Sequence, residues 1–201
     1  LGIDICLGLP MDKKASPYEY MFLPDYVESG FDHATIQGAS AAMPLVKQKS
    51  IVYEGHEDNS FGYLPHPLAL FIPLAFVALL LSRRDIKRKR LYKWFDALIF
   101  GATGLIGILL LVLWTLTDHQ AAAKNFNLLW ALPTNLIAAF ALFGNKRWLV
   151  YYFYVISGLL TIILLTWPFL PQKLNFTLLP IVIVLLLRSL TNAIIRRSAI
   201  Q

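Results

Sequence analysis

Hydrophobic residues in this chain are gathered into long uninterrupted runs, with polar residues confined to the stretches between them. Five runs read as membrane-crossing helices, over residues 66–82, 94–117, 127–143, 148–167 and 178–195. A helix needs about 20 residues to cross roughly 30 Å of hydrocarbon. The first run is short, and Leu64 and the aliphatic stem of Arg83 extend it. The second is long enough to tilt. The third contains Pro133, whereas the fourth is bounded by Trp148 and Trp167, residues suited to the two interfaces. The fifth carries Pro180 in its first turn, where a missing N–H costs little.

Upstream of His66 the pattern changes. Ser16-Pro17 and Leu23-Pro24-Asp25 are turn and helix-start signals. Val27, Phe31, Ala34 and Ile36 then recur at near-helical spacing. Ser50–Glu54 reads as a short strand, and Glu57–Ser60 followed by Phe61-Gly62 reads as a loop leading to the membrane. The expected fold is a mainly α membrane protein: a five-transmembrane-helix bundle over residues 66–201, preceded by a small α+β extracytoplasmic segment over residues 1–65. Such a short segment is expected to complete a larger exported domain instead of folding alone.

Composition sharpens this division. The chain is 57% hydrophobic, well above an ordinary soluble domain. Residues 1–65 carry a net charge of −5 and residues 66–201 a net charge of +11. The basic excess is interleaved with apolar runs, so it points to topology and anionic lipid and away from nucleic acid. RRDIKRKRLYK, after the first run, holds seven basic residues against Asp85 alone. Lys146 and Arg147 follow the third run, and Arg196 and Arg197 follow the fifth. DHQAAAKNFN and PFLPQKLNF hold one lysine each. The positive-inside rule places the basic loops and the C-terminus in the cytoplasm and the N-terminus outside. A polar segment outside normally follows an export signal, and the sequence starts at Leu1 without one. The expectation is a C-terminal part of a longer precursor, or a chain lacking its first residues.

Candidate chemistry is sparse. The sequence has no glycine-rich phosphate loop, no Cys-x-x-Cys and no closely spaced histidine pair, so no metal or other cofactor is expected. Cys6 lies in the apolar stretch IDICLGLP and reads as a small buried hydrophobe; His33 and His56 are its candidate bases as a nucleophile, but no spacing links them to it. At the outer ends of the second and third runs stand Asp118, His119, Asn125 and Asn127, with Asn135 further in. These side chains either cap helix ends or converge on a phospholipid headgroup, with His119 a possible catalytic contributor. Asn135 calls for a hydrogen-bonding partner inside the protein. Asp96 and Arg188 are charges within or near the runs, expected to form a structural ion pair unless Arg188 snorkels to the interface. Ala97, Gly101, Gly104 and Gly107 favour close helix contact along the second run.

Specific strings also resemble a known family. LGLPMDKKASPYEYMFLPDYVESGFDHATI, RRDIKRKRLYKWFDALIFGATGLIG and TDHQAAAKNFNLLWALPTN are similar to the C-terminal half of the Lnb-like lipoprotein N-acyltransferases, inner-membrane proteins of Bacteroidota. Glu19–Tyr26, Phe95–Gly101 and the pattern from His119 through Asn125 and Asn127 to Pro133 are its most specific parts. The matching polar residues are Asp12, Glu19, Tyr20, Asp25, Asp96, His119, Asn125 and Asn127. The resemblance implies an inner-membrane, five-helix part of an enzyme that moves an acyl chain from a phospholipid to a lipoprotein amine. It further implies a thiol nucleophile in an Asn-Cys motif of the exported domain. This sequence has no such motif, and Cys6 does not stand in that context. The competing readings are a non-catalytic envelope anchor or scaffold, and a thiol phospholipase or amidase on the same scaffold.

Overall fold

The structure, a computed structural model, describes residues 1–38, 41–52 and 66–199. It comprises two compact units: Leu1–Asp12 with the membrane-type helices, and Lys13–Leu64.

Among its described residues the Lys13–Leu64 unit holds two helices and one antiparallel strand pair. Helix α2 (Pro17–Tyr20) begins with a capping box, in which Ser16 and Glu19 satisfy each other's backbone N–H groups. The Ser16 N–H and the Lys13 ammonium both donate to the Glu19 carboxylate, and with the Ser16 hydroxyl they hold its pKa down to about 2. Helix α3 (Pro24–His33) starts on a proline whose missing N–H would be unpaired anyway. It ends before Ile36, which belongs to strand β1 (Thr35–Gln37), paired antiparallel with β2 (Ala42–Pro44). The expected strand at Ser50–Glu54 is not formed over Ser50–Val52, and its remainder lies outside the described residues, as does the expected loop at 57–62. The β-pairing is taken instead by two segments that follow α3. No described side chain of this unit is buried, as expected of a piece too small to enclose a core.

In the other unit, α1 (Gly2–Cys6) is followed after residue 66 by α4 (Pro67–Arg88), α5 (Lys93–Thr115), α6 (Thr134–Ala141), α7 (Trp148–Thr166) and α8 (Leu179–Ser198). Among the described residues four helices are long and apolar enough to cross a membrane, counting the short helical turns that extend α7 and α8. Helix α8 packs along both α4 and α7, and α6 packs along α5. Helix α8 is the most enclosed of the long helices, α4 the least. The outward faces carry Leu70, Leu105, Val155 and Leu165, the composition expected of surfaces in contact with lipid.

Two expectations are corrected. The basic stretch after the first run is not all loop: α4 continues to Arg88, leaving Lys89–Tyr92 as the connection. Basic residues suit a helix C-terminus because they complement the partial charge of its free carbonyls. The third run is not a continuous spanning helix. It is a short turn at Phe126–Leu129, a break, and the eight-residue α6. Pro133 disfavours helix at the residue before it and supplies no N–H. The break is accommodated because α5 presents glycines to it. A Cβ on Gly107 would lie 2.0 Å from Ala131 O, and one on Gly104 would lie 2.3 Å from Leu136 N. Irregular backbone at membrane depth survives where protein covers it and satisfies its polar groups. Here Asn135 donates to Trp130 O at 3.4 Å and to Thr103 Oγ1 at 3.3 Å, and accepts from the Tyr152 hydroxyl at 2.7 Å.

Candidate functional site at the loop end of the bundle

The connections after α5 and α7 meet the first twelve residues at one end of this unit. Just past α5 stands Thr117, whose hydroxyl donates back to Leu113 O at 2.6 Å and lies 2.9 Å from His119 Nδ1. Asp118 and His119 are both exposed. The chain then turns at Lys124, which adopts a left-handed φ of 51°. Asn125 Oδ1 accepts the Asn127 N–H at 2.9 Å, an Asx turn that opens the short helical turn.

Asn125 and Asn127 are 3% and 2% exposed, and both side-chain amides donate to Ile5 O, at 2.7 and 3.2 Å. Asn127 Oδ1 also accepts the Trp130 indole N–H at 2.9 Å. Gln172, after α7, plays a matching part: its carbonyl accepts the Phe126 N–H at 2.6 Å and its amide donates to Leu7 O at 2.8 Å. Asp12 accepts the Lys173 N–H, and Asp4 accepts from Asn175. Gly8 lies flat on this surface. Its N–H donates to Ala121 O at 2.7 Å, and a Cβ there would fall 2.0 Å from Ala123 O. Residues 1–12 are thus a strap bound through neutral amide and carboxylate hydrogen bonds.

Beside the strap, Leu9, Trp114, Phe126, Leu128 and Leu129 line a cavity of about 400 Å³, with Lys124 and Asn125 completing its wall. The volume is within the range of small-ligand sites. An apolar wall with an exposed lysine offers room for a hydrocarbon chain and a cation for a phosphate. Cys6 is half-buried in α1. His33 bonds Ser29 O within its own helix, His66 caps α4, and His56 lies outside the described residues. Among the described residues no three His, Cys, Asp or Glu side chains cluster as metal ligands.

Residues 57–199 match the family model described as the Lnb transmembrane domain. The chain belongs to that family. No curated protein and no solved structure matches it. The Lnb transmembrane domain is a five-span domain by its family description, and here it consists of four long helices and the shorter broken segment containing α6.

The Lnb domain also carries a buried charge cluster at its other end. Arg188 Nε donates to Asp96 Oδ1 at 2.5 Å and its Nη2 to Asp96 Oδ2 at 3.0 Å. Nη2 also reaches Asp85 Oδ2 at 2.8 Å, and Nη1 donates to Ser82 Oγ at 3.2 Å. Asn192 donates to Asp96 and accepts from Arg196, whose Nη2 donates to Leu142 O at 2.9 Å. Two carboxylates and two guanidinium groups are therefore enclosed together, a neutral set, as the cost of isolated charge in hydrocarbon requires. The sequence pattern places Asp85 in a basic loop, whereas it lies fully buried on the extended α4. Ser82, Asn192 and Arg196 were equally hidden. The available signal was polar residues at positions 188, 189, 191, 192 and 196, a recurring face on an otherwise apolar helix.

Proposed function

We propose that this domain is the membrane and lipid-positioning part of an acyltransferase that N-acylates lipoproteins from a phospholipid donor. The apolar cavity at the loop end, walled by Trp114, Phe126, Leu128 and Leu129 beside Lys124, is the observation that carries this reading. A phospholipid acyl chain would occupy the cavity, with its phosphate toward Lys124. Exposed Asp118 and His119 face the same aqueous layer and are proposed to contact headgroups, His119 as a possible proton carrier. Asn125 and Asn127 act on the headgroup through position: they fix the strap and the turn that form the cavity wall. The charge distribution supports an inner-membrane orientation with this end periplasmic and the C-terminus cytoplasmic.

The test is lipoprotein N-acylation in cells carrying Leu128→Trp, which fills the cavity, and His119→Ala. Cavity filling is expected to reduce N-acylation at least tenfold at unchanged protein level. Unchanged acylation with Leu128→Trp would remove the cavity from the reaction. A non-catalytic anchor or scaffold is the second reading. It is favoured by the commitment of both asparagine amides to Ile5 O, which leaves those donors engaged by the chain itself. Under that reading neither substitution changes acylation. A thiol phospholipase or amidase on this scaffold would instead release free fatty acid or cleave an amide, with no mass added to a lipoprotein.

A further inference from the structure

The opposite end of the bundle holds a larger cavity, of about 740 Å³, between the α4–α5 connection, the chain after α6 and the last turn of α8. Arg84, Arg88, Lys89, Arg90, Lys93 and Arg196 line it, and no carboxylate does. We propose that this cavity binds the phosphate-bearing headgroup of an anionic phospholipid. The proposal rests on the domain being membrane-embedded and is independent of the acyl-transfer reading.

Three observations carry it. First, the backbone that carries the cations is held in place. The Asp85 carbonyl accepts the Arg90 N–H at 3.1 Å, and its carboxylate Oδ2 accepts the Tyr92 N–H at 2.9 Å. The same carboxylate is pinned by Arg188. Lys89 closes α4 in a left-handed conformation, with φ 50°. The four-residue connection is thereby fixed from beneath by a buried acid, and Arg84 lies over the Tyr92 ring at 5.2 Å. Cations carried on a fixed backbone lose less entropy on binding an anion than cations on a free loop would.

Second, the acid beneath this floor is already neutralised. Asp85 and Asp96 are engaged by Arg188, and of the lining cations only Arg84, whose Nε lies 3.4 Å from Asp85 Oδ1, and Arg196 join that cluster, so Arg88, Lys89, Arg90 and Lys93 are not spent on it. Third, the cavity rim is aromatic. The Trp94 and Phe143 rings are 4.8 Å apart and 72% and 45% exposed. Aromatic rings of this kind sit at the headgroup level of a bilayer. The anion abundant at that depth is a lipid phosphate, and arginine recognises phosphate by paired N–H donors. A soluble phosphate would satisfy the cations and leave the aromatic rim without a partner.

Native mass spectrometry of the full chain, delipidated in detergent, tests the proposal. The probes are phosphatidylglycerol, phosphatidylcholine and inorganic phosphate, each added separately. The expected result is one phosphatidylglycerol retained under activation that strips phosphatidylcholine. Arg88→Gln with Arg90→Gln should weaken that retention on the order of tenfold. Arg88→Lys with Arg90→Lys keeps the charge, and with it the membrane topology, yet should lose several-fold because the planar fork is gone. Lys146→Gln with Arg147→Gln, which removes two cations outside the cavity lining, should leave retention unchanged. Equal retention of both lipids, or an equal loss in the Lys146/Arg147 variant, would overturn the proposal. Retention of inorganic phosphate without lipid discrimination would reassign the cavity to a soluble anion.

Discussion

The two ends of the Lnb domain hold their irregular backbone by different means. At the loop end, Asn125, Asn127 and Gln172 reach across to Ile5 and Leu7 with neutral amides. At the basic end, Asp85 holds the Lys89–Tyr92 connection and is itself held by Arg188 within a charged cluster. An amide serves only a few neighbouring groups, and its loss leaves the other contacts standing. A buried charge draws in partners until the cluster is neutral, and every member then depends on the others. The loop end is accordingly a set of separable contacts, and the basic end a single unit.

Breaking the charged unit should have the largest effect. Arg188→Met removes the one guanidinium that bonds both Asp85 and Asp96, and is expected to cost about 3–5 kcal/mol of bundle stability. Adding Asp85→Asn and Asp96→Asn to the same chain should recover a substantial part of that loss. Unfolding in mixed micelles measures both, and a triple variant no more stable than Arg188→Met would refute the coupling.

Next in size is the close approach of α5 to the broken segment. Gly107→Ala forces a Cβ against Ala131 O and should cost about 1–3 kcal/mol. Gly101→Ala meets only Ala139 Cβ at 3.8 Å and should be near neutral. Equal melting temperatures for the two variants would contradict this packing.

At the loop end, Asn127→Ala strands the buried Trp130 indole N–H and should cost about 1–3 kcal/mol. Combined with Arg188→Met its effect should be additive, because the two clusters share no partner. A strong non-additive term would show that the ends communicate.

The smallest effect lies in the Lys13–Leu64 unit. Glu19 is ionised in the capping box down to about pH 2, against a usual value of 4.5. Because the folded value is the lower one, its contribution is present above pH 4.5 and lost as pH falls toward 2. Protection of the Ser16 amide against exchange, relative to its intrinsic rate at each pH, should fall over that interval, and Glu19→Gln should abolish the pH dependence without altering the membrane helices.

Much of the architecture was legible because hydrophobic run length is a local property. The runs at 94–117, 148–167 and 178–195 contain enough apolar residues to satisfy the bilayer by themselves, and the shorter run at 66–82 does so with its flanking residues. The capping signal at Ser16-Pro17 is local for the same reason. The broken third run was less legible: Pro133 announces a break, but where the freed carbonyls go depends on Gly107 and Asn135, which lie on other turns and other helices. The site residues divide in the same way. Asn125, Asn127 and His119 stand out as polar residues beside apolar runs, whereas Gln172 reads as an ordinary loop residue until Phe126 and Leu7 are placed beside it.

The sequence by itself determined that the chain enters a membrane, where the apolar runs lie and how charge is divided along it, because solvent preference is set residue by residue. Only the tertiary structure decided that Asp85 is a core residue, that Arg188 serves two carboxylates, and that the first twelve residues belong with the membrane helices. Those outcomes are pairings between residues about 100 positions or more apart. A hydrogen bond has value only where its partner is brought within reach, and no single position carries that information.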